Sequence, residues 1–402
     1  MAKQLLIVVG ESGSGKTTIA KKYANERNDL YLDFDTLFNY KTRDNPPTFI
    51  GRLASVISSS PEECFILDGY WPEGLPTPAY LESALNVEVH WCLCFAAPHV
   101  IQRRQARKAR DPLRSSPTAR DVIQKTTEKL FFTITTVDEN ALFIDTTNDT
   151  AEIVDKNLLA QRWGELLLLS DIDASGYDKG YQDIELPSGT ALKGYSDSAK
   201  TWERLSAALD FKGAQVLDIG CFHGFFSFKA EEAGAKYVVG IEQSPEARSI
   251  AHRIGWLKNS KVWFQLGDID YLQPPREYDI VLVLNMIHHV KNIDASLAHI
   301  FGSGRTIVFE IDLAQEGIII QHAANHGFQL TTRLASHRET REIIILKHPT
   351  YQGNVIRSIP SQYQFDYARY RLQKLKKDIK SSAMLYPIKY LVRLYRQWKR
   401  NS

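Results

Sequence analysis

Short apolar runs, most of them closed by an acid or a glycine, recur along the chain with longer mixed stretches between them. The first set is LLIVV at 5–9, LYLDF at 30–34, CFILD at 64–68, VEVHWCLCF at 87–95 and ALFID at 141–145. Near-continuous apolar runs read as strands buried on both faces, and intervening helical stretches supply the crossovers that parallel strands require. A second set falls near 215–219, 237–241, 262–266, 279–284, 305–311 and 342–347. Each set predicts an α/β layered domain with a mostly parallel sheet. Between them, 151–190 opens as an amphipathic helix and passes into the turn-rich DIDASGYDKGYQDIELPSG, which reads as a connector. The expected division is therefore 1–150, 151–190, 191–348 and a tail at 349–402, which suits a chain of 402 residues. No internal repeat links the two α/β blocks.

Composition changes this picture little until charge is read by position. Apolar residues make up 44% and charged residues 24%, ordinary globular usage that excludes a disordered or fibrous chain. The net charge is +2, but 366–402 hold eleven Lys/Arg against Asp366 and Asp378, so the rest of the chain is acidic. Such a terminal block is commonly an interaction element. The four cysteines, Cys64, Cys92, Cys94 and Cys221, are too few for a disulfide scaffold, and the Cys92/Cys94 pair lacks the partners of a zinc site. LLIVV runs at once into a glycine loop, unlike a signal peptide, and no run reaches the roughly 18 apolar residues of a membrane span. A cytoplasmic protein is expected, with peripheral attachment to the membrane face as an option for the tail.

Gly10-Glu-Ser-Gly-Ser-Gly15-Lys16-Thr17 fits G-x-x-x-x-G-K-[ST] in full, directly after a strand run and opening a helix. In that context Gly10, Gly13 and Gly15 let backbone N–H groups curl round phosphates. Lys16 would reach the β- and γ-phosphates, and Thr17, followed by Thr18, would face Mg2+. Asp33 and Asp35 stand at the end of the second strand, where a carboxylate could orient or deprotonate an acceptor hydroxyl; solvated strand-end acids would look the same. Asp68 ends an apolar run as a carboxylate serving Mg2+ would. Residues 103–120 carry Arg103, Arg104, Arg107, Lys108, Arg110, Arg114 and Arg120, a candidate lid over ATP in which Arg104 or Arg107 would stabilise the transferring phosphoryl group; a solvated helix face is the alternative. On the loop, the DFD after the second strand, the arginine-rich segment and the closing FIDTT, about 150 residues resemble the small P-loop kinases, such as shikimate, gluconate and polynucleotide kinases. That resemblance implies ATP-dependent phosphorylation of a hydroxyl and leaves the acceptor open.

The second block opens with VLDIGCFHGFFS, a strand entering a glycine turn and then a helix. Asp218, Gly220 and Gly224 are candidate cofactor contacts, the two glycines because they permit close backbone approach to a ligand. Glu242, after the strand YVVGI, is placed to bind a ribose diol. Asp268 and Ile269 lie where an adenine amino group would be read, and Asn285 follows DIVLVL. His288 and His289 come next, on the rim where an acceptor would sit. Through VLDIGCFHGFFS, GIEQS, GDIDYL and DIVLVLNMIHHV this block resembles class I S-adenosylmethionine-dependent methyltransferases over about 160 residues. A nicotinamide-binding Rossmann domain is the competing reading, but its G-x-G-x-x-G spacing is absent. One position departs from the family: Phe222 stands where the central glycine is usual, so a differently bent loop is expected. The stretch from Gln182 through Gly194, Tyr195, Thr201 and Trp202 is similar to the tRNA wobble-uridine carboxymethyltransferases. In that setting one of the two histidines acts as a base or positions an oxygen, and Tyr195 covers the donor; ordinary rim residues are the alternative for all three.

Together these readings make the expected fold class α/β, with two doubly wound three-layer domains, P-loop NTPase-like then Rossmann-like, plus a basic helical tail. In YPIKYLVRLYRQWKR, Ile388, Leu391, Val392, Tyr395 and Trp398 share one helical face and Lys389, Arg393, Arg396 and Arg400 another. An anionic membrane surface, RNA phosphates or the protein's own surface would each suit such a helix. The expected cofactors are S-adenosyl-L-methionine, ATP and Mg2+. The expected function is a bifunctional kinase and methyltransferase that phosphorylates and then methylates one acceptor such as a lipid-linked glycan. RNA modification or end processing, a small-metabolite pathway, and a methyltransferase regulated by a nucleotide-binding module stand beside it.

Overall fold

A computed structural model of the chain describes residues 3–37, 46–69, 78–108, 118–174, 181–189, 191–272, 274, 278–338 and 340–350. The expected tail helix and the lid residues Arg110 and Arg114 lie outside these residues. The chain divides into two compact units, Met1–Tyr177 and Asp178–Ser402. Among the described residues no helix is long and apolar enough to cross a membrane.

The first unit is built on β1 (Gln4–Val9), β2 (Leu30–Asp33), β3 (Cys64–Asp68), β4 (Glu88–Phe95), β5 (Leu142–Asp145) and β6 (Glu152–Ile153). They lie in the order β2-β3-β1-β4-β5-β6, all parallel except β6, which runs antiparallel to β5. Alternation along each strand explains the unbroken apolar runs. Leu5, Ile7, Phe65, Leu67, Leu93 and Phe95 feed one core, while Val8, Ile66, Cys92, Cys94 and Ile144 pack with Ile19, Ala20 and Ala24 of the helix Lys16–Arg27 on the other. The second strand is one residue shorter than the run LYLDF suggests. Phe34 begins a short helix, because Asp33 Oδ1 accepts the Asp35 N–H at 2.9 Å and turns the chain.

The segment read as a connector is divided differently by the structure. The helix Leu159–Ala174 belongs to the first unit: Leu159, Trp163 and Leu166 join its core, and Trp163 packs edge-on to Phe131 with centroids 5.4 Å apart. Its polar side is equally committed. Arg162, 5% exposed at its side chain, donates to Asp145 Oδ2 at 2.7 Å and to Glu152 at 3.0 Å, and lies 3.7 Å from the fully buried Glu165. Helical periodicity shows amphipathicity but not which core the apolar stripe joins.

The second unit carries a small hairpin, β7 (Ile184–Glu185) and β8 (Ala191–Leu192), and a larger sheet. Its strands are β9 (Gln215–Ile219), β10 (Tyr237–Glu242), β11 (Trp263–Leu266), β12 (Tyr278–Leu284), β13 (Gly304–Asp312), β14 (Gln329–Ala335) and β15 (Arg341–Lys347). The order is β11-β10-β9-β12-β13-β15-β14, parallel through β13, with β15 and β14 antiparallel. All six runs read as strands are present, and β14 is additional. It is an edge strand whose first three residues are exposed, so QLTTRLA offers no apolar run. In both units the chain leaves the first strand toward one edge and later returns to its other side. This reversal opens a crevice at the carboxyl ends of the strands, the usual place for a ligand in open α/β sheets.

Removing the buried cation tests the reassigned helix. Arg162→Ala strands Asp145 and Glu165 without their partner and is expected to cost about 3–5 kcal/mol, read as a lowered urea midpoint by circular dichroism.

Candidate functional site

At the first crevice, the loop from Gly10 to Gly15 joins β1 to the helix Lys16–Arg27. A side chain on Gly10 would put its Cβ 2.3 Å from the Cys94 carbonyl oxygen, so only glycine lets the loop lie against β4. Gly13 and Gly15 adopt left-handed φ values of 90° and 86°, and Gly15 caps the helix. The loop is held from outside: Thr146 Oγ1 donates to the Ser14 carbonyl at 2.6 Å, Arg104 Nη1 to the Gly13 carbonyl at 3.3 Å, and Gln105 Nε2 to the Ser12 carbonyl at 2.8 Å. Lys16 is half-buried, with Thr17 and Thr18 exposed beside it at the helix N-terminus.

Asp33 and Asp68 occupy matching positions at the ends of β2 and β3. Asp68 is 5% exposed; its Oδ2 accepts the Tyr31 hydroxyl at 3.0 Å, and its Oδ1 has no partner among the described residues. Together with the Thr17 hydroxyl, such a carboxylate would make a hard oxygen set of the kind that suits Mg2+, an ion that takes one or two protein ligands and completes its shell with phosphate and water. Burial raises the Tyr31 hydroxyl pKa well above its ordinary value, as does the Asp68 charge, so this partner remains a donor. Asp33 and Asp35 are exposed and joined by a local turn.

The basic segment separates into distinct roles. Arg103 and Arg120 both bind Asp173 on the helix Leu159–Ala174, and Arg120 also donates to the Ser170 carbonyl at 2.8 Å. In this structure these two hold the helices Pro98–Lys108 and Arg120–Val137 to the helix Leu159–Ala174. Arg104 is bound to the loop at Gly13 and to the Thr146 carbonyl at 2.5 Å, which makes it a positioning residue in this structure. Arg107 is exposed on the last turn of the helix Pro98–Lys108.

At the second crevice, β9 runs into Gly220, and the turn closes through the Gly224 N–H to the Cys221 carbonyl at 2.8 Å. Phe222, where a differently bent loop is expected, adopts a left-handed φ of 52°. A non-glycine residue pays roughly 1–2 kcal/mol there, and two contacts offset it. The Phe222 N–H donates to Glu242 Oε2 at 2.9 Å, and its ring stacks on His223 with centroids 3.8 Å apart. Glu242 Oε1 accepts the Ser244 N–H at 2.8 Å. Glu242 is therefore fixed at the tip of β10, 7% exposed, with one backbone donor on each oxygen and lone pairs left for a diol.

Two of the expected site residues have side chains that face inward. Asp218 is 2% exposed and accepts the Ser227 hydroxyl at 2.7 Å, tying β9 to the helix Phe225–Glu232. Burial raises its pKa to about 7, against the Ser227 hydrogen bond and helped by the Glu242 charge. Ile269 is 3% exposed and packs in the core. Asp268 is half-buried, its Oδ1 accepting the Asp270 N–H at 3.0 Å.

The rim is richer than its motif suggests. Asn285 is left-handed at φ 56°; its N–H donates to the Glu310 carbonyl at 3.0 Å and its side chain to the Tyr181 hydroxyl. The Tyr181 ring meets Tyr195 edge-on at 5.0 Å and Phe222 at 5.8 Å, so three aromatic rings border the loop. Tyr195 is 66% exposed. His288 and His289 lie exposed on the turn after β12 with rings 4.0 Å apart; burial, then His289, lowers the His288 pKa. Sequence reading missed Tyr181 and Glu310. One lies in a turn and the other within an apolar strand, and no spacing links them.

Among the described residues no group of three or more His, Cys, Asp or Glu could hold a metal, and Cys92, Cys94 and Cys221 are buried free thiols. Residues 194–337 match a family described as a methyltransferase domain. The second unit contains a class I, Rossmann-like methyltransferase domain. Among curated proteins the chain is similar to the tRNA U34 carboxymethyltransferase of Colwellia psychrerythraea, 30% identical over 93 residues, covering 22% of this chain and 28% of the relative. The corresponding protein of Pseudomonas fluorescens is 23% identical over 125 residues, covering 30% and 37%. The chain thus spans about a third of these relatives' length. A solved structure of a putative RNA methyltransferase from Pyrococcus horikoshii aligns at a TM-score of 0.34 and 22% identity, covering 39% of this chain and 84% of that one. Magnesium protoporphyrin IX methyltransferase from Synechocystis PCC 6803 aligns at 0.33 and 21%, covering 40% and 77%.

Asp218 yields a signed pH prediction. Its folded pKa is raised, so its contribution is fullest below its unfolded pKa near 3.8 and is lost as pH rises toward 7. Between pH 5 and pH 8, Asp218→Asn is expected to gain about 2–3 kcal/mol relative to the wild type, measured by urea unfolding at both pH values.

Proposed function

We propose that the second unit transfers a methyl group from S-adenosyl-L-methionine and that the first is an ATP- and Mg2+-dependent kinase, the two acting in sequence on one acceptor. The observation that carries the methyl-transfer half is the Gly220–Gly224 turn facing a Glu242 whose two oxygens are oriented by backbone donors, within a matched methyltransferase domain. In this reading Glu242 binds the donor's ribose, the Gly220 turn and the aromatic rim hold its amino-acid end, and alignment lowers the barrier by fixing donor against acceptor.

The kinase half is supported by the glycine loop, the half-buried Lys16 and the buried, unpartnered oxygen of Asp68. Thr17 and Asp68 would hold Mg2+, which draws charge from the transferring phosphoryl group. Lys16 would neutralise the phosphates, and Asp33 would orient the acceptor hydroxyl. Arg104 keeps the loop in shape, leaving Arg107 as the described arginine free to move onto the nucleotide. A lipid-linked glycan is the acceptor we favour, with the basic tail meeting anionic lipid. The similarity to tRNA carboxymethyltransferases favours RNA as the second reading.

Incubation with methyl-labelled S-adenosylmethionine and a fractionated extract of a host lacking the gene, with and without ATP, separates these. ATP-dependent label in glycolipid is expected; label in RNA, or label indifferent to ATP, overturns the capping order. Lys16→Ala is expected to abolish the ATP-dependent part while leaving donor binding intact. By calorimetry, Glu242→Ala is expected to weaken donor binding by about a hundredfold, the loss of two charge-assisted hydrogen bonds at roughly 1.5 kcal/mol each.

A further inference from the structure

Beside the rim, a buried polar cluster joins Thr201 to three residues that no motif contains, Glu310, Ser336 and His337. Glu310 is 3% exposed near the end of β13, opposite Leu284 and hydrogen-bonded through its carbonyl to Asn285. Its carboxylate receives the Ser336 hydroxyl and lies 3.2 Å from His337 Nδ1. Thr201, from the helix Ser198–Ala208, reaches His337 Nδ1 at 3.0 Å and Glu310 Oε1 at 3.5 Å. Burial opposes ionisation of Glu310, but the hydrogen bonds from His337 and Ser336 outweigh it and hold the carboxyl below its ordinary value. The His337 side chain is only 6% exposed, yet its Nε2 has no partner among the described residues.

A buried ring nitrogen left unpaired costs about 1–3 kcal/mol, and a histidine serving only to brace the turn between β14 and β15 would do better with both nitrogens engaged. The arrangement has another use. A carboxylate and a hydroxyl on Nδ1 select the tautomer whose Nε2 bears a lone pair. The other groups facing the cluster are Tyr181, Arg338 and Arg341, the last with its own unpartnered Nη1, and Arg204, which is spent on the Ala335 carbonyl at 2.6 Å.

Resting on the methyl-transfer reading, we propose that His337 Nε2 is the general base of this site, held by Glu310 as a positioning residue, and that the acceptor is therefore a neutral hydroxyl and not a pre-formed oxyanion. The acceptor O–H bond breaks, with its proton passing to Nε2, as the oxygen lone pair forms the new C–O bond. The methyl–sulfur bond breaks with its electron pair remaining on sulfur, and the imidazolium returns its proton to water. In a phosphorylate-then-methylate sequence, the methyl group goes to a hydroxyl beside the phosphate.

Two measurements test this on the full chain. In a long-range proton–nitrogen spectrum of 15N-histidine protein at pH 8, His337 is expected to show a protonated Nδ1 and a bare Nε2. The signal is assigned by His337→Gln or, if that variant fails to fold, by its displacement in Thr201→Val. A protonated Nε2 overturns the proposal. With the extract fraction that accepts label, His337→Gln is expected to bind S-adenosylmethionine as the wild type does, to lose at least a hundredfold in rate at pH 7, and to recover in part at high pH. An unchanged rate and pH profile also overturns it. A wild-type chain that does not bind S-adenosylmethionine sinks the methyl-transfer reading instead, a result distinct from either of these.

Discussion

Both units depend on one constraint: parallel strands whose order reverses beside the first strand. Crossovers that leave a strand in opposite directions cannot cover its carboxyl end, so the backbone there opens to a ligand. In the first unit this exposes the loop after β1, and in the second the turn after β9. Each is followed by a helix that begins at a left-handed glycine, Gly15 or Gly224, and turns its N–H groups toward the crevice. The strand order decides where chemistry can occur, and the loop residues decide which chemistry.

The two crevices solve the problem of a mobile loop by different means. The first uses neutral and cationic donors from neighbouring elements, Thr146, Arg104 and Gln105, which grip the loop's carbonyls. The second uses a carboxylate. Glu242 accepts one N–H from the loop and one from its own strand's exit, so the group that orients the loop is also the one with lone pairs to spare. Phe222 is tolerable under this arrangement because its N–H is in the pair. The strain of its backbone is offset locally, and the ring it brings joins Tyr181 and His223 along the rim. Strain of this kind is retained where surrounding contacts over-determine it.

Buried charge follows a consistent rule. Arg162 meets three carboxylates, Glu310 meets a histidine and two hydroxyls, and Asp270 takes the N–H groups of Lys291 and Asn292 together with the Ser296 hydroxyl. In each case an acid inside the fold ties segments distant in sequence. Asp218, with Ser227 as its side-chain donor among the described residues, is shifted upward by burial.

The order of elements was legible because strand runs and glycine turns are local signals. The loop at 10–17, VLDIGC and the position of Glu242 all follow from periodicity and spacing within some thirty residues. β14 escaped because an edge strand with three exposed residues carries no apolar alternation. The helix at 159–174 was legible as a helix but not as part of the first core, since an apolar stripe does not name its partner. The same reason governs the site residues. Asp218, Ile269, Arg103 and Arg120 stand where ligand contacts are expected in a linear reading, yet three-dimensional packing turns them inward or pairs them with other helices. Conversely Tyr181, Thr201, Glu310 and His337 come from four separate segments and meet only at the strand ends. By itself, the sequence determined the strand order's local punctuation and the two glycine turns, because backbone conformation there depends on neighbouring residues. Only the tertiary structure decided which polar groups face a crevice and which are consumed holding it, because hydrogen bonds between distant segments are chosen by packing, not by spacing.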